Sequence, residues 1–245
     1  MKKLSVVIPT LQKNKELLIN LLKTLELDNV VQEIILINNS LQRLDYNSSK
    51  LRVVQPGANL YVNPSWNLGV KLAQNDIVAL LNDDIIISNN FCSQVVELIQ
   101  PEMGVIGFNS DKYMQITKDI LPNDSTATIY LEEVKKMPWF WGTTIFFYKS
   151  SYYEIPDEMK ITHGDCYLIT MNKNNNKKYY SINGQMVYHY GSLSHGEKNF
   201  NPICARDKKI FERIFLKWYE RIFSFKYLNK QLVIRLFGMK FSLRF

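Results

Sequence analysis

Short apolar runs that stop abruptly at polar residues, with helical patterns between them, constrain this chain more than any other feature. Residues 4–9 form the first run and end at Thr10, residues 33–37 end in Asn38, Asn39 and Ser40, and residues 76–81 end in Asn82, Asp83 and Asp84. Continuous runs of this length suit strands buried on both faces. Between the first two, Leu17, Leu18, Leu21, Leu22 and Leu25 fall on one helical stripe. Residues 52–54 predict a third strand before the Pro56-Gly57 turn, and Pro64 opens a helix with Trp66, Val70 and Ala73 on one face. A further helix over residues 91–100 turns Val95, Val96 and Ile99 inward, and residues 104–108 return to the sheet. This alternation predicts an α/β fold, a mainly parallel sheet flanked by helices. In such sheets ligands bind beyond the carboxyl ends of the strands, where Thr10, Asn38, Asn39, Ser40, Asn82, Asp83 and Asp84 all fall. Residues 111–136 read as polar and irregular, and residues 172–178 as a loop by composition.

With 245 residues, 46% of them hydrophobic, the chain can bury one core without disulfide staples. Cys92, Cys166 and Cys204 are far apart and odd in number, which favours a reducing compartment. The opening apolar run is short, broken by Pro9 and followed by Lys13 and Lys15, so it reads as a strand and not as a leader. No stretch reaches the roughly 18 apolar residues of a membrane-spanning helix.

The net charge of +7 is concentrated at one end. Residues 205–245 hold eleven Lys or Arg against three acids, leaving residues 1–204 close to neutral. There Ile210, Phe211, Ile214, Phe215, Trp218 and Ile222 recur at helical spacing, opposite Lys208, Lys209, Arg213 and Lys217. After Leu232 the period falls to two, with Phe237, Met239, Phe241, Leu243 and Phe245 alternating with polar or small residues. A basic amphipathic helix of this kind suits an anionic membrane surface or a partner; packing on the main domain is the alternative. Nucleic acid is disfavoured, since no DNA- or RNA-binding signature accompanies the charge. The expected division is therefore 1–204, with halves 1–110 and 111–204, and a C-terminal extension 205–245.

The chain lacks both a GxGxxG turn and a Walker loop, so a Rossmann dehydrogenase or P-loop nucleotidase is not expected. Asp83 and Asp84 at a strand end offer hard oxygen ligands for Mg²⁺ or Mn²⁺, or else two turn-forming residues. Their context resembles the nucleotide-sugar-dependent glycosyltransferases of the GT-A (Rossmann-like) fold, especially the large family-two group. Residues 4–10 look like its opening strand, Ile35 to Ser40 like its second, and Asn59 through Asn67, Leu68 and Gly69 like its Asn-x-Gly helix. Leu81-Asn82-Asp83-Asp84 then stands at its metal-binding acidic motif. The resemblance spans residues 4–87. It departs at Asn38 and Asn82, where many relatives carry Asp.

The resemblance implies that Asp84 binds a divalent metal, Mn²⁺ or Mg²⁺, while Asp83, Asn82, Pro9, Thr10, Asn38, Asn39, Ser40, Asn59 and Asn67 form the nucleotide-sugar site. Trp139, Trp141 and Gly142 look like the loop shaping the acceptor pocket, although aromatic core packing would give the same pattern. His163-Gly164-Asp165-Cys166 matches the family's acidic motif before a helix, which makes Asp165 the candidate base. Its alternative is a helix cap. His189 resembles the late-strand histidine that contacts the metal or diphosphate, and is preferred over His195 and His163. Leu236 to Lys240 has counterparts in bacterial surface-polysaccharide transferases, which implies lipopolysaccharide or capsule assembly with a glycan or lipid-linked glycan acceptor. The expected location is cytoplasmic, peripheral on the inner face of the cytoplasmic membrane. The expected activity is inverting transfer from a nucleotide-diphosphate sugar. A catalytically silent sugar- or nucleotide-binding module and a nucleotidyltransferase of related fold are the alternatives.

Overall fold

The computed structural model describes residues 2–108, 114–115, 127–135, 142–185, 187–190, 200–216, 223–228, 231–236 and 239–244. Strand β1 (Leu4–Thr10) is buried along its whole length and pairs in parallel with β2 (Val31–Asn38) and β4 (Ile77–Leu81). Outside β2 lies β3 (Leu51–Val54), also parallel. On the other flank the order continues through β9 (Thr144–Tyr148), β6 (Ile106–Phe108), β10 (Tyr180–Asn183) and β8 (Tyr130–Glu133). β9 runs antiparallel to both neighbours, and β8 antiparallel to β10, so the parallel half carries a mixed extension.

Side chains along β1 alternate between two cores. Leu4, Val6 and Ile8 join the apolar stripe of α1 (Lys15–Leu27), together with Phe91, Val95 and Val96 of α3 (Phe91–Leu98). Val7, Ile35, Ile37 and Ile145 point to the opposite face, against Trp66 and Val70 of α2 (Val62–Leu72) and Leu168 of α4 (Gly164–Asn174). Helix α1 starts where Asn14 accepts a hydrogen bond from the amide of Leu17 at 3.1 Å, a cap contributing about 1 kcal/mol. Helix α2 lies so close to β1 that a methyl group on Gly69 would stand 2.1 Å from Cγ1 of Val7, and only glycine fits there.

Three sequence expectations change. Residues 111–136 are not uniformly irregular: β7 (Met114–Gln115) and β8 fall within them. Residues 172–178 begin inside α4, because Asn172 is fully buried and its amide donates to the carbonyls of Ser151 and Leu168, both at 2.8 Å. Composition marked it as loop, yet a buried partner holds it in the last helical turn. The C-terminal amphipathic helix is α5 (Phe200–Phe215), starting well before the position expected and running through residues 204 and 205. Ile210 is buried in the second core, with Phe211 and Phe215 packed on it. Of the stripe assigned to a membrane or partner, Ile210, Phe211 and Phe215 pack on the domain, whereas Ile214 is exposed. Trp218, Ile222, Phe237 and Phe245 lie outside the described residues.

Strand β5 (Ile85–Ile86) pairs antiparallel with β11 (Tyr188–His189), which also pairs with β7. A meander of β12 (Phe223–Leu228), β13 (Gln231–Leu236) and β14 (Met239–Arg244) follows α5; of these the two-residue period after Leu232 predicts only the last. Among the described residues no helix is long and apolar enough to cross a membrane.

Candidate active site

The ends of β1, β2 and β4 converge, as the topology requires of adjacent parallel strands. Thr10, the last residue of β1 and the one after Pro9, donates its hydroxyl to Oδ2 of Asp83 at 2.5 Å, while its carbonyl accepts from the Asn39 amide at 2.8 Å. Asn39 then bridges to the helix layer, donating to Ser65 Oγ at 3.0 Å and accepting from the Leu60 amide at 2.9 Å. Asn38 accepts from the Ser40 amide and donates to the carbonyl of Gln42.

Gln12, which sequence reasoning passed over, organises this corner. It is 6% exposed and sits at φ 55°, in the left-handed region. Its amide nitrogen donates to Asn38 Oδ1, Ser40 Oγ and the carbonyl of Gln42. A polar residue two positions after a strand end, in a chain with no glycine there, was the available signal.

On the β4 side, the Asn82 amide donates to the carbonyl of Thr143 at 3.0 Å. Asp84 is 5% exposed, and its Oδ1 stands 3.1 Å from Nε2 of His189. The pair is in ion-pair range without the alignment of a hydrogen bond, and Asp84 Oδ1 accepts none among the described residues. The β5–β11 pairing brings them together, with His189 opposite Ile85 and the Tyr190 amide donating to the Asp84 carbonyl. Crowding pushes the Asp83 carboxyl up to about 6. Loss of solvent is the main cause and the neighbouring Asp84 charge adds to it, against the hydrogen bond from Thr10.

Asp165 lies in the first turn of α4, and its Oδ1 accepts from the Cys166 amide at 2.8 Å. Its other oxygen faces Gly142: a methyl group there would stand 3.8 Å from Oδ2 of Asp165 and 3.6 Å from the Trp66 ring. Gly164 must be glycine, because a methyl group would meet Asn63 Oδ1 at 2.2 Å. His163 before it is left-handed at φ 62°, and burial holds its imidazole below its ordinary pKa. Burial raises the Cys166 thiol, with the Asp165 charge adding to it, so it stays protonated and is no nucleophile.

Asp165 thus stands beside Gly142; the next residue, Thr143, accepts from the Asn82 amide, and the chain runs from Asn82 through Asp83 to Asp84, which pairs with His189. Two candidates stand outside this network among the described residues. Asn59 is exposed and accepts only from the Tyr61 amide, and the whole amide of Asn67 is engaged by Tyr152 and Ile155. Trp139, Trp141 and His195 lie outside the described residues.

A parallel sheet with an antiparallel extension, carrying an acidic strand end in its crevice, defines the class: this is a GT-A fold. Its neighbours among solved structures agree. GalNAc-T7 with UDP, GalNAc and Mn²⁺ superposes with a TM-score of 0.63 at 13% identity, over 89% of this chain and 49% of that one. S. aureus TarS (residues 1–349) with UDP gives 0.56 at 16% identity, over 89% and 77%. The same protein with UDP-GlcNAc gives 0.56 at 15%, over 89% and 69%. The chain spans about half the length of the GalNAc-T7 structure. No curated protein matches the sequence. The model of the family described as "Glycosyl transferase family 2" matches residues 5–170, and the chain belongs to that family, with a glycosyltransferase domain over most of its length.

Proposed function

We propose that this chain is an inverting, metal-dependent glycosyltransferase, moving a sugar from a nucleotide-diphosphate donor to a hydroxyl of a growing bacterial surface glycan of the lipopolysaccharide or capsule type. The observation that carries the reading is the nearness of Asp165 to Gly142, next to the Thr143 carbonyl that holds the Asn82 amide, together with the Asp84–His189 pair at the same strand end, in a family-two domain. In this reading Pro9, Thr10, Asn38, Asn39, Ser40, Asn82 and Asp83 line the nucleotide-sugar side, while Asn59 and Asn67 stand apart from it. Gly142, with Trp139 and Trp141, borders the acceptor.

The residues present fit a divalent ion. Asp84 Oδ1 is buried with no hydrogen bond to satisfy it among the described residues, and an imidazole nitrogen lies beside it. Asp84 and His189 would supply one carboxylate oxygen and one imidazole nitrogen, a set that fits Mn²⁺ better than Mg²⁺, whose ligands are oxygens. When bound, the ion stabilises charge on a departing diphosphate.

Asp165 takes the proton of the acceptor hydroxyl as its oxygen bonds to the anomeric carbon. The bond to the diphosphate breaks on the opposite face, so the configuration inverts. The test is thermal stabilisation against UDP, GDP, CMP and dTDP sugars, each with Mn²⁺ and with chelator. A metal-dependent rise of about 5 °C or more for one nucleotide class is expected at saturating donor. UDP sugars come first, because the solved neighbours hold UDP. No shift with any donor would sink the reading; a shift without nucleotide release would favour a silent binding module.

The acceptor in this reading is membrane-anchored. Arg206, Lys208, Lys209 and Arg213 are exposed on α5 together with Ile214, while Ile210 is buried, which supports electrostatic attraction to an anionic surface. Reversing Arg206, Lys209 and Arg213 to Glu is expected to weaken binding to phosphatidylglycerol vesicles about tenfold or more at low salt. Unchanged binding would remove the membrane from the proposal.

A further inference from the structure

Helix α5 lies beyond the part of the chain that matches the family, yet it carries a carboxylate with no contact to solvent. Asp207 is 0% exposed, and both its oxygens are spent on one stretch of backbone. Oδ1 accepts from the amide of Lys160 at 2.9 Å, and Oδ2 from those of Ile161 and Thr162 at 2.7 and 2.9 Å. Three consecutive amides converging on one carboxylate, by hydrogen bonds of the stronger, charge-assisted kind, fix the path of the chain. That path leads through His163 and Gly164 into Asp165.

The same stretch is gripped from its other side by Asn63 of α2, whose amide nitrogen donates to the Thr162 carbonyl at 3.1 Å and whose backbone N–H donates to the Lys160 carbonyl at 2.9 Å. Phe211, one turn beyond Asp207, sets its ring 5.4 Å from that of His163, and Phe215 stands 5.5 Å from Tyr167. The left-handed backbone at His163 persists only if its surroundings hold it. Removing a charge from water is costly, and Asp207 meets that cost with hydrogen bonds confined to the approach to Asp165.

We propose that Asp207 is a positioning residue, holding residues 160–164 so that Asp165 faces Gly142 and the acceptor, and that α5 belongs to the catalytic half of the enzyme instead of being an appendage. The inference rests on the reading of Asp165 as base. An error in placing a base costs rate more than donor affinity, since a shift of about 1 Å can cost about a hundredfold.

The test compares wild type, Asp207→Asn, Phe211→Ala and Asp165→Asn in the full chain, using UDP release from a panel of UDP sugars with Mn²⁺. Alongside it run the donor-induced thermal shift and amide hydrogen exchange over residues 160–167. The amide of Asp207→Asn keeps the shape but puts an NH₂ group against one of the three N–H donors. Release is expected to fall at least about tenfold with donor stabilisation unchanged and exchange at 160–165 accelerated. Phe211→Ala, at a half-buried position, is expected to move turnover and exchange the same way by less, and decides the matter if Asp207→Asn does not fold. Turnover within twofold of wild type in the folded variants, while Asp165→Asn is inactive, would overturn the positioning role. An active Asp165→Asn would instead sink the base reading beneath it.

Discussion

Asp84→Asn is expected to abolish the Mn²⁺-dependent stabilisation by donor and to lower turnover about a hundredfold or more, with little change in the stability of the protein alone. The asymmetry follows from what the carboxylate touches. Its Oδ1 accepts no hydrogen bond among the described residues, so an isosteric amide breaks no hydrogen bond there. The bond between the Tyr190 amide and residue 84 uses the backbone carbonyl and survives the substitution. What is lost is the negative charge beside His189, which a divalent ion would need. Calorimetry without ligand, and thermal shifts with donor plus Mn²⁺ or chelator, separate the two effects. A retained metal-dependent shift would move the metal site elsewhere.

Asp165→Asn is expected to lower turnover by about a hundredfold to ten-thousandfold, while the donor-induced thermal shift stays as in wild type. The choice of Asn matters. It caps and turns as well as Asp does, and its carbonyl can still accept the 2.8 Å bond from the Cys166 amide. A purely structural Asp165 would therefore leave the variant active. A base loses its function, because an amide takes up no proton near neutral pH. Nucleotide release from the donor that stabilises the wild type, with water or a glycan hydroxyl as acceptor, measures it. Activity within a few fold of wild type would reduce Asp165 to a cap.

Elements buried on a whole face were the most legible. The Leu stripe of α1 and the runs of β1, β2 and β4 carry their burial in their own composition, and the polar residues ending them marked the crevice. Composition misled where a polar residue is buried, as at Asn172, whose partner Ser151 lies in another segment. Gln12, Asn63 and Asp207 were silent for the same reason. Each acts on backbone or side chains 26 to 99 residues away, which no local pattern records.

The stripe of α5 shows the division most clearly. Its period, charge and amphipathic character are properties of neighbouring residues, and these the sequence by itself determined, as it did the succession of strands and helices along residues 4–108 and the acidic end of β4. Whether Ile210 and Phe211 meet lipid, a partner or their own domain depends on which surface reaches them first. Only the tertiary structure decided that, and with it the burial of Asp207 and the juxtaposition of Asp84 with His189. Hydrophobic burial is indifferent to the identity of the apolar surface it covers, whereas hydrogen bonds and ion pairs exist only once the chain has brought distant groups within about 3 Å.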